Sequence, residues 1–194
     1  FNVDVTETDA AKVVRMTLPL AANASLSYIY TLHTTGDPSR DYLIDFSIEQ
    51  HNIAEHIAND ESLLLTWRSR SNMNERSFQN ENIATNILYY EDGDLDELSA
   101  SGEKEELENI SWIAYKQQYF TSAFISSGNL MAKAEHKGST KEGKDYMKAF
   151  SSVIELPLNP NTSLYDYAFY YGPNDLAVME DVEFEGEKAH IDEI

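Results

Sequence analysis

Alternation of apolar and polar residues constrains this chain more than any other feature. Tyr42, Ile44, Phe46 and Ile48 interleave with Leu43, Asp45 and Ser47. Leu63, Leu65 and Trp67 repeat the pattern. So do Phe150, Ser152, Ile154, Leu156 and Leu158, and then Tyr165, Tyr167, Phe169 and Tyr171. Successive side chains of a strand point to opposite faces, so each run reads as a strand with one face on a core and one in water. Further strands are expected over residues 15–20, 26–32, 83–90, 112–125 and 129–135. The chain holds 12 Tyr, 8 Phe and 2 Trp, and flat rings pack well on a pleated surface.

Between the strands lies turn chemistry. Thr35-Gly36-Asp37-Pro38-Ser39 and Asn159-Pro160-Asn161 separate strands, and Glu91-Asp92-Gly93-Asp94 can close one. The acidic run over residues 92–108 reads as a solvated loop or a short helix, and residues 137–144 as a polar connection. Helix signals are few. Residues 52–59 could form about two turns with Ile53 and Ile57 on one side. Gly172-Pro173-Asn174-Asp175 favours a helix start, with the helix running to about Asp181. The tail from Glu183 to Ile194 is acidic and weakly apolar, and is expected to be ordered only by whatever follows it. Many short strands and short polar connections predict a mostly β fold, an antiparallel twisted β-sandwich. One or two short helices are expected, one of them near the C-terminus. The 194 residues suit a single domain, 1–194.

Charge and composition exclude several functions. A formal net charge of −20 repels phosphate backbones and anionic headgroups, so no nucleic-acid partner is expected. There is no Cys, hence no disulfide, thiol nucleophile or Cys-ligated zinc. No apolar run approaches the ~20 residues that span a bilayer. Among the five His, only His51 and His56 are close, and five positions apart they leave one helix face. Asp92-Gly93-Asp94-Leu95-Asp96 lacks the glycine that a calcium loop requires. There is no G-x-S-x-G elbow, no G-x-G-x-x-G and no phosphate loop. No catalytic residue, metal or cofactor is therefore expected. Trp67, Trp112, Tyr115 and Tyr119 could line an aromatic cleft for a sugar or an extended peptide, but rings in such a pattern read first as core.

One stretch is dense in aromatics and nearly uncharged between acidic flanks. It reads Ser111-Trp112-Ile113-Ala114-Tyr115-Lys116-Gln117-Gln118-Tyr119-Phe120-Thr121-Ser122-Ala123. Its form W-I-A-x-K-Q-Q-Y-F-x-S-A resembles the signature near the end of the extracytoplasmic domain of YidC-type membrane protein insertases, in the Bacteroidetes branch. Tyr170-Tyr171-Gly172-Pro173-Asn174-Asp175 is similar to that family's aromatic-x-G-P step. The resemblance implies a supersandwich fold related to galactose-mutarotase-like domains, on the periplasmic face of the bacterial inner membrane. It implies an accessory, non-catalytic role in a protein that is itself membrane-embedded, with the Sec translocon and nascent membrane proteins as partners. Residues 173–194 would be the membrane-proximal helix and tail, and the family continues from there into its first core transmembrane helix. Trp112, Gln118, Tyr119, Phe120, Gly172 and Pro173 match the family pattern and are expected to be structural.

Two other readings compete. An aldose epimerase-like enzyme would need a His and a carboxylate converging on a sugar hydroxyl, for which His33 or His136 with Glu135 could be named. A secreted sugar- or peptide-binding module would need coplanar exposed rings in a groove, with Trp67, Trp112 and Tyr119 as candidates.

Overall fold

The computed structural model describes all residues except 54, 57–61, 99–104, 139–145, 158, 160 and 161, and, within the described strands, not the side chains of 129, 131 and 136–138. Strands β1 (Asn2–Glu7), β2 (Ala11–Ala21), β3 (Ala24–His33) and β4 (Leu43–His51) are sequential neighbours. Strand β5 (Ser62–Ser71) and helix α1 (Phe78–Ala84) precede β6 (Asn86–Glu91), β7 (Asp94–Glu97), β8 (Glu105–Lys116) and β9 (Phe120–Gly138). Then come β10 (Lys148–Pro157), β11 (Leu164–Pro173), helix α2 (Leu176–Met179) and a hairpin of β12 (Glu183–Phe184) and β13 (Glu187–Lys188). The main path is β1-β2-β3-β4-β11-β9-β8-β6-β7, with β10 pairing both β9 and β5. Every ladder is antiparallel.

Strand β9 makes this sheet a sandwich. Its first part, through Ser126, pairs with β11, and its later part, from Met131 to Gly138, pairs with β10. The β8–β9 ladder shifts register between Leu107 and Ile110 and again between Ile110 and Trp112. Bulges of this kind bend a strand pair, so the two halves diverge and β10 and β5 fold over one face of the main sheet. The first core fills the gap, with Phe46, Phe124 and Phe169 meeting Phe150, Ile154 and Leu156, and with Leu63, Leu65 and Trp67 packed against it. Trp67 meets Phe169 edge-on at 6.0 Å and stacks on Tyr115 at 4.1 Å.

The opposite face of the same strands builds a second core. Leu43, Trp112, Ala123, Ile125, Ala168 and Tyr170 point that way and are covered by Met179, Val182, Phe184, Ala189 and Ile191 from the tail. Neighbouring residues therefore serve different cores. Ile113 belongs to the first and Trp112 to the second, as strand alternation requires.

Several expectations are corrected. The segment 112–125 is two strands joined by a tight turn at 117–119, because Gln117 N–H bonds Phe120 O at 2.9 Å and reverses the chain. Residues 83 and 84 end a helix, and the strand begins at Asn86. Ser77 caps that helix by accepting from Asn80 N, and Ile83, 75% exposed, faces away from any core. The acidic run contributes β7 and the start of β8, while 99–104 lie outside the described residues. The helix expected over 52–59 falls partly outside them too. Its described part is a turn, with Asn52 at φ 49° and His56 N bonded to Ile53 O. The connection 137–144 lies largely outside as well. Strand β1 is not among the expected strands, although Val3 and Val5 alternate with Asp4 and Thr6, and all six of its residues are exposed. The helix expected over 173–181 shrinks to α2, because Pro173 is still in β11 and Asp175 supplies the cap to Ala177 N.

The tail is the largest correction. It folds back on the sheet and orders itself, with Ile191 fully buried. Its hairpin turns at Glu185 and Gly186, with φ of 53° and 82°, the positive pair that a two-residue primed turn needs. Arg40, in a 3-10 turn at Pro38–Arg40, donates to Glu183 O at 3.3 Å, and Lys116 Nζ donates to Ile194 O at 2.6 Å.

Candidate functional site

The fold brings the two signature segments together. Gly172 pairs with Thr121 and Pro173 with Phe120 in the β9–β11 ladder. Trp112 lies one strand further on, opposite Ile125, and is fully buried. Gln118, Tyr119 and Phe120 form the exposed tip of the β8–β9 hairpin.

Gly172 has a local reason. The ring of Tyr170 folds across Gly172 and its hydroxyl donates to Pro173 O at 2.8 Å. A Cβ at Gly172 would lie well inside contact distance of the Tyr170 hydroxyl oxygen and of its Cζ. Glycine is thus required by close approach, which explains why an aromatic precedes it by two positions. The step after Pro173 then locks the hairpin. Asn174 N donates to Tyr119 O at 2.8 Å, its Nδ2 donates to Gln117 O at 2.7 Å, and its Oδ1 accepts from Thr121 Oγ1 at 2.7 Å. Asn174 satisfies turn carbonyls that the strand ladder leaves free. Sequence reasoning passed over its side chain, and the only signal was its place directly after the Gly-Pro pair.

Electrostatics follow burial. Desolvation pushes the Tyr170 and Tyr115 hydroxyls far above the usual tyrosine range. Tyr115 donates to Trp67 O at 2.9 Å and lies 2.8 Å from Ser152 Oγ, which ties β8 to β5 and β10. At the tip the Tyr119 hydroxyl donates to Glu75, and that bond raises its pKa. Tyr119, Phe120 and Tyr171 are 51%, 61% and 46% exposed, so the end of the sheet around Phe120 and Tyr171 is apolar and open to solvent.

Of the groups named for the competing readings, His33 is engaged by β4 and the 3-10 turn. His33 Nε2 sits 2.7 Å from Asp45 Oδ2, and Arg40 bonds the other carboxylate oxygen. With the Arg40 bond to Glu183, this cluster pins the tail to β4. The His136 side chain lies outside the described residues. Trp67 packs on the first core, Trp112 lies in the second and Tyr119 is at the tip, so the three rings do not share a surface. Among the described residues no three His, Asp or Glu side chains gather as a metal site would need.

A family model described as the YidC periplasmic domain matches residues 2–189. A membrane protein insertase YidC from Bacteroides fragilis is 30% identical over 180 residues, covering 88% of this chain and 27% of that protein. The YidC of Azobacteroides pseudotrichonymphae is 28% identical, over 81% of this chain and 26% of its own. That of Porphyromonas gingivalis is 26% identical, over 87% and 27%. The chain thus spans about a quarter of the length of these relatives. Among solved structures, a heparan sulfate lyase HepC mutant from Pedobacter heparinus superposes with a TM-score of 0.47 at 11% identity, covering 88% of this chain and 21% of that one.

Proposed function

The chain belongs to the YidC periplasmic domain family, and on that premise we propose that it is a non-catalytic accessory scaffold of a membrane protein insertase. Residues 1–194 form one domain on the periplasmic face of the inner membrane, with 173–194 nearest the bilayer. Its role is to hold a partner surface in place while inner-membrane proteins insert and fold. Nascent membrane proteins and Sec translocon components are the partners this role calls for. Trp112, Gly172 and Pro173 shape the scaffold, whereas Gln118, Tyr119 and Phe120 present its tip.

The observation that carries this reading is the build of the hairpin tip. Its backbone is clamped by Asn174 while its rings are left in water. Exposed apolar surface on a rigid element suits transient capture of apolar segments.

Photocross-linking from position 120 tests this. Full-length insertase carrying a benzophenone side chain at Phe120 is irradiated while a labelled membrane protein is being synthesised. The reading expects an adduct with the nascent chain or a translocon subunit, and none from position 12 on β2. Equal labelling from both positions, or none from either, would defeat it.

A further inference from the structure

The layer formed by β5 and β10 is narrower than the main sheet beneath it. Phe150 of β10 stacks on Tyr115 of β8 at 4.9 Å, and Trp67 of β5 meets Tyr115 at 4.1 Å and Phe169 of β11 at 6.0 Å. Passing from β10 to β5 therefore leads across the main sheet towards β11, and β5 is the last strand of its layer. The main sheet runs on beyond it through β4, β3, β2 and β1. Register shows what this ledge exposes. Paired residues share a face, so Val5 lies beside Val14 and Tyr30, and Val3 beside Met16 and Tyr28. Tyr28 and Tyr30 pack on the first core, so all six belong to the face that β5 and β10 cover elsewhere. On the ledge that face is open, with Val3 and Val5 57% and 71% exposed. The opposite face of the same strands carries Asp4 and Arg15, and Arg15 bonds Glu49 at 2.6 Å.

Both strands that bound the ledge are also free edges. Among the described residues β1 pairs only with β2, and β5 only with β10. Edges are normally blunted by bulges, proline or a short charged sequence. The remaining edge, β7, is blunted in this way, since three of its four residues are acidic. By contrast β1 and β5 keep an unbroken register over six and ten residues and contain no Pro. Seven antiparallel ladders separate them along the path β1-β2-β3-β4-β11-β9-β10-β5. An odd number of reversals leaves the two edges running in opposite senses in a sandwich of aligned layers. Charge matches as well. Arg68 and Arg70 alternate with core-facing Leu65 and Trp67, so they stand on the outer face of β5. Arg70 lies over the Tyr146 ring, and among the described residues neither guanidinium has an ion pair, in a chain with 34 acidic side chains. Asp4 stands on the polar face of β1. We propose that two copies of this chain dock ledge to ledge. The β1 strand of each adds antiparallel to β5 of the other, and the apolar faces of β1–β3 close on one another across a two-fold axis. Such a contact is isologous and uses both edges of both copies at once. Asp4 opposite Arg68 sets the register, which brings Thr6 opposite Thr66 and Val5 beside Trp67. A single strand from another protein would satisfy β5 but leave the β1 edge open, whereas a second copy closes both. This interface does not rest on the insertase reading, because neither β1 nor β5 carries a residue of the tip.

Light scattering of the 194-residue chain from about 10 to 300 μM covers the range in which weak dimers form. The mass is expected to rise from one chain to two, more readily as salt screens the −20 charge of each copy. Val5→Lys puts a charge at a site that is exposed in the single chain, and should weaken the dimer by about tenfold or more while near-ultraviolet circular dichroism stays native. Disulfide trapping reads the register without relying on that variant, since the chain has no Cys of its own. A tagged chain with Thr6→Cys, mixed with an untagged chain with Thr66→Cys, should form a mixed disulfide under mild oxidation, because opposed residues of an antiparallel pair bring their Cβ atoms within bridging reach. Asp96→Cys on β7, used in place of Thr6→Cys, should form none. A chain that stays single at every concentration, the result if the ledge takes a strand of another protein, would overturn the proposal. So would a dimer that Val5→Lys leaves intact, or the absence of the disulfide between positions 6 and 66.

Discussion

Gly172 shows how much a single position can fix. Its backbone is extended, so the usual argument from positive φ does not apply. What excludes a side chain is the Tyr170 ring lying over it. Gly172→Ala must either displace that ring from the second core or open the β9–β11 ladder. Overpacking of this kind costs about 1–3 kcal/mol, and here the Tyr170 bond to Pro173 O is at risk as well. Thermal unfolding of the variant should show a midpoint lowered by several degrees, while Tyr171→Ala, at an exposed site on the same strand, should change it much less. Equal effects would mean that the ring-on-glycine contact does not matter. The motif glycine was readable in the sequence, but the reason for it was not, since that reason is a side chain two residues away folding back along its own strand.

At the scale of elements, the strands that alternate cleanly were legible. β5 and β10 each bury one face, and their period of two is visible in any window. Where both faces are buried the pattern vanishes. Ile113, Ala114 and Tyr115 are all buried although they point to different cores, so residues 112–125 read as one continuous strand and the turn at Gln118 was hidden. The tail failed for another reason. Its apolar residues Val182, Phe184, Ala189 and Ile191 are spread among acids with no helical or strand period. Their partner surface lies far away in sequence. Ile191→Ala would leave a cavity at a fully buried site, for which about 2–5 kcal/mol is usual. The expected outcome is a tail cleaved by protease far faster than in the parent chain, with the midpoint of global unfolding lowered. A tail still fully protected would show that its packing does not depend on that residue.

For the whole molecule, the main sheet has no idle face in its middle. Strands β4, β11, β9, β8 and β6 are covered on one side by β5 and β10 and on the other by the tail. The signature segments lie where these layers meet, at the end that carries the exposed tip. The candidate site was thus half visible in the sequence. Its residues could be listed from the motifs, but their meeting across β9 and β11, and the clamp by Asn174, come from strand order alone. The high negative charge keeps such a surface soluble despite its exposed rings. On the proposed scaffold reading, residues 173–194, the part proposed to lie nearest the membrane, should matter most. The direct measurement is growth of an insertase-depleted strain rescued by full-length protein lacking either residues 2–172 or residues 174–194. The account predicts rescue, reduced but clear, by the first deletion and none by the second. Loss of rescue on deleting residues 2–172, with the protein present in the membrane at normal amount, would contradict it.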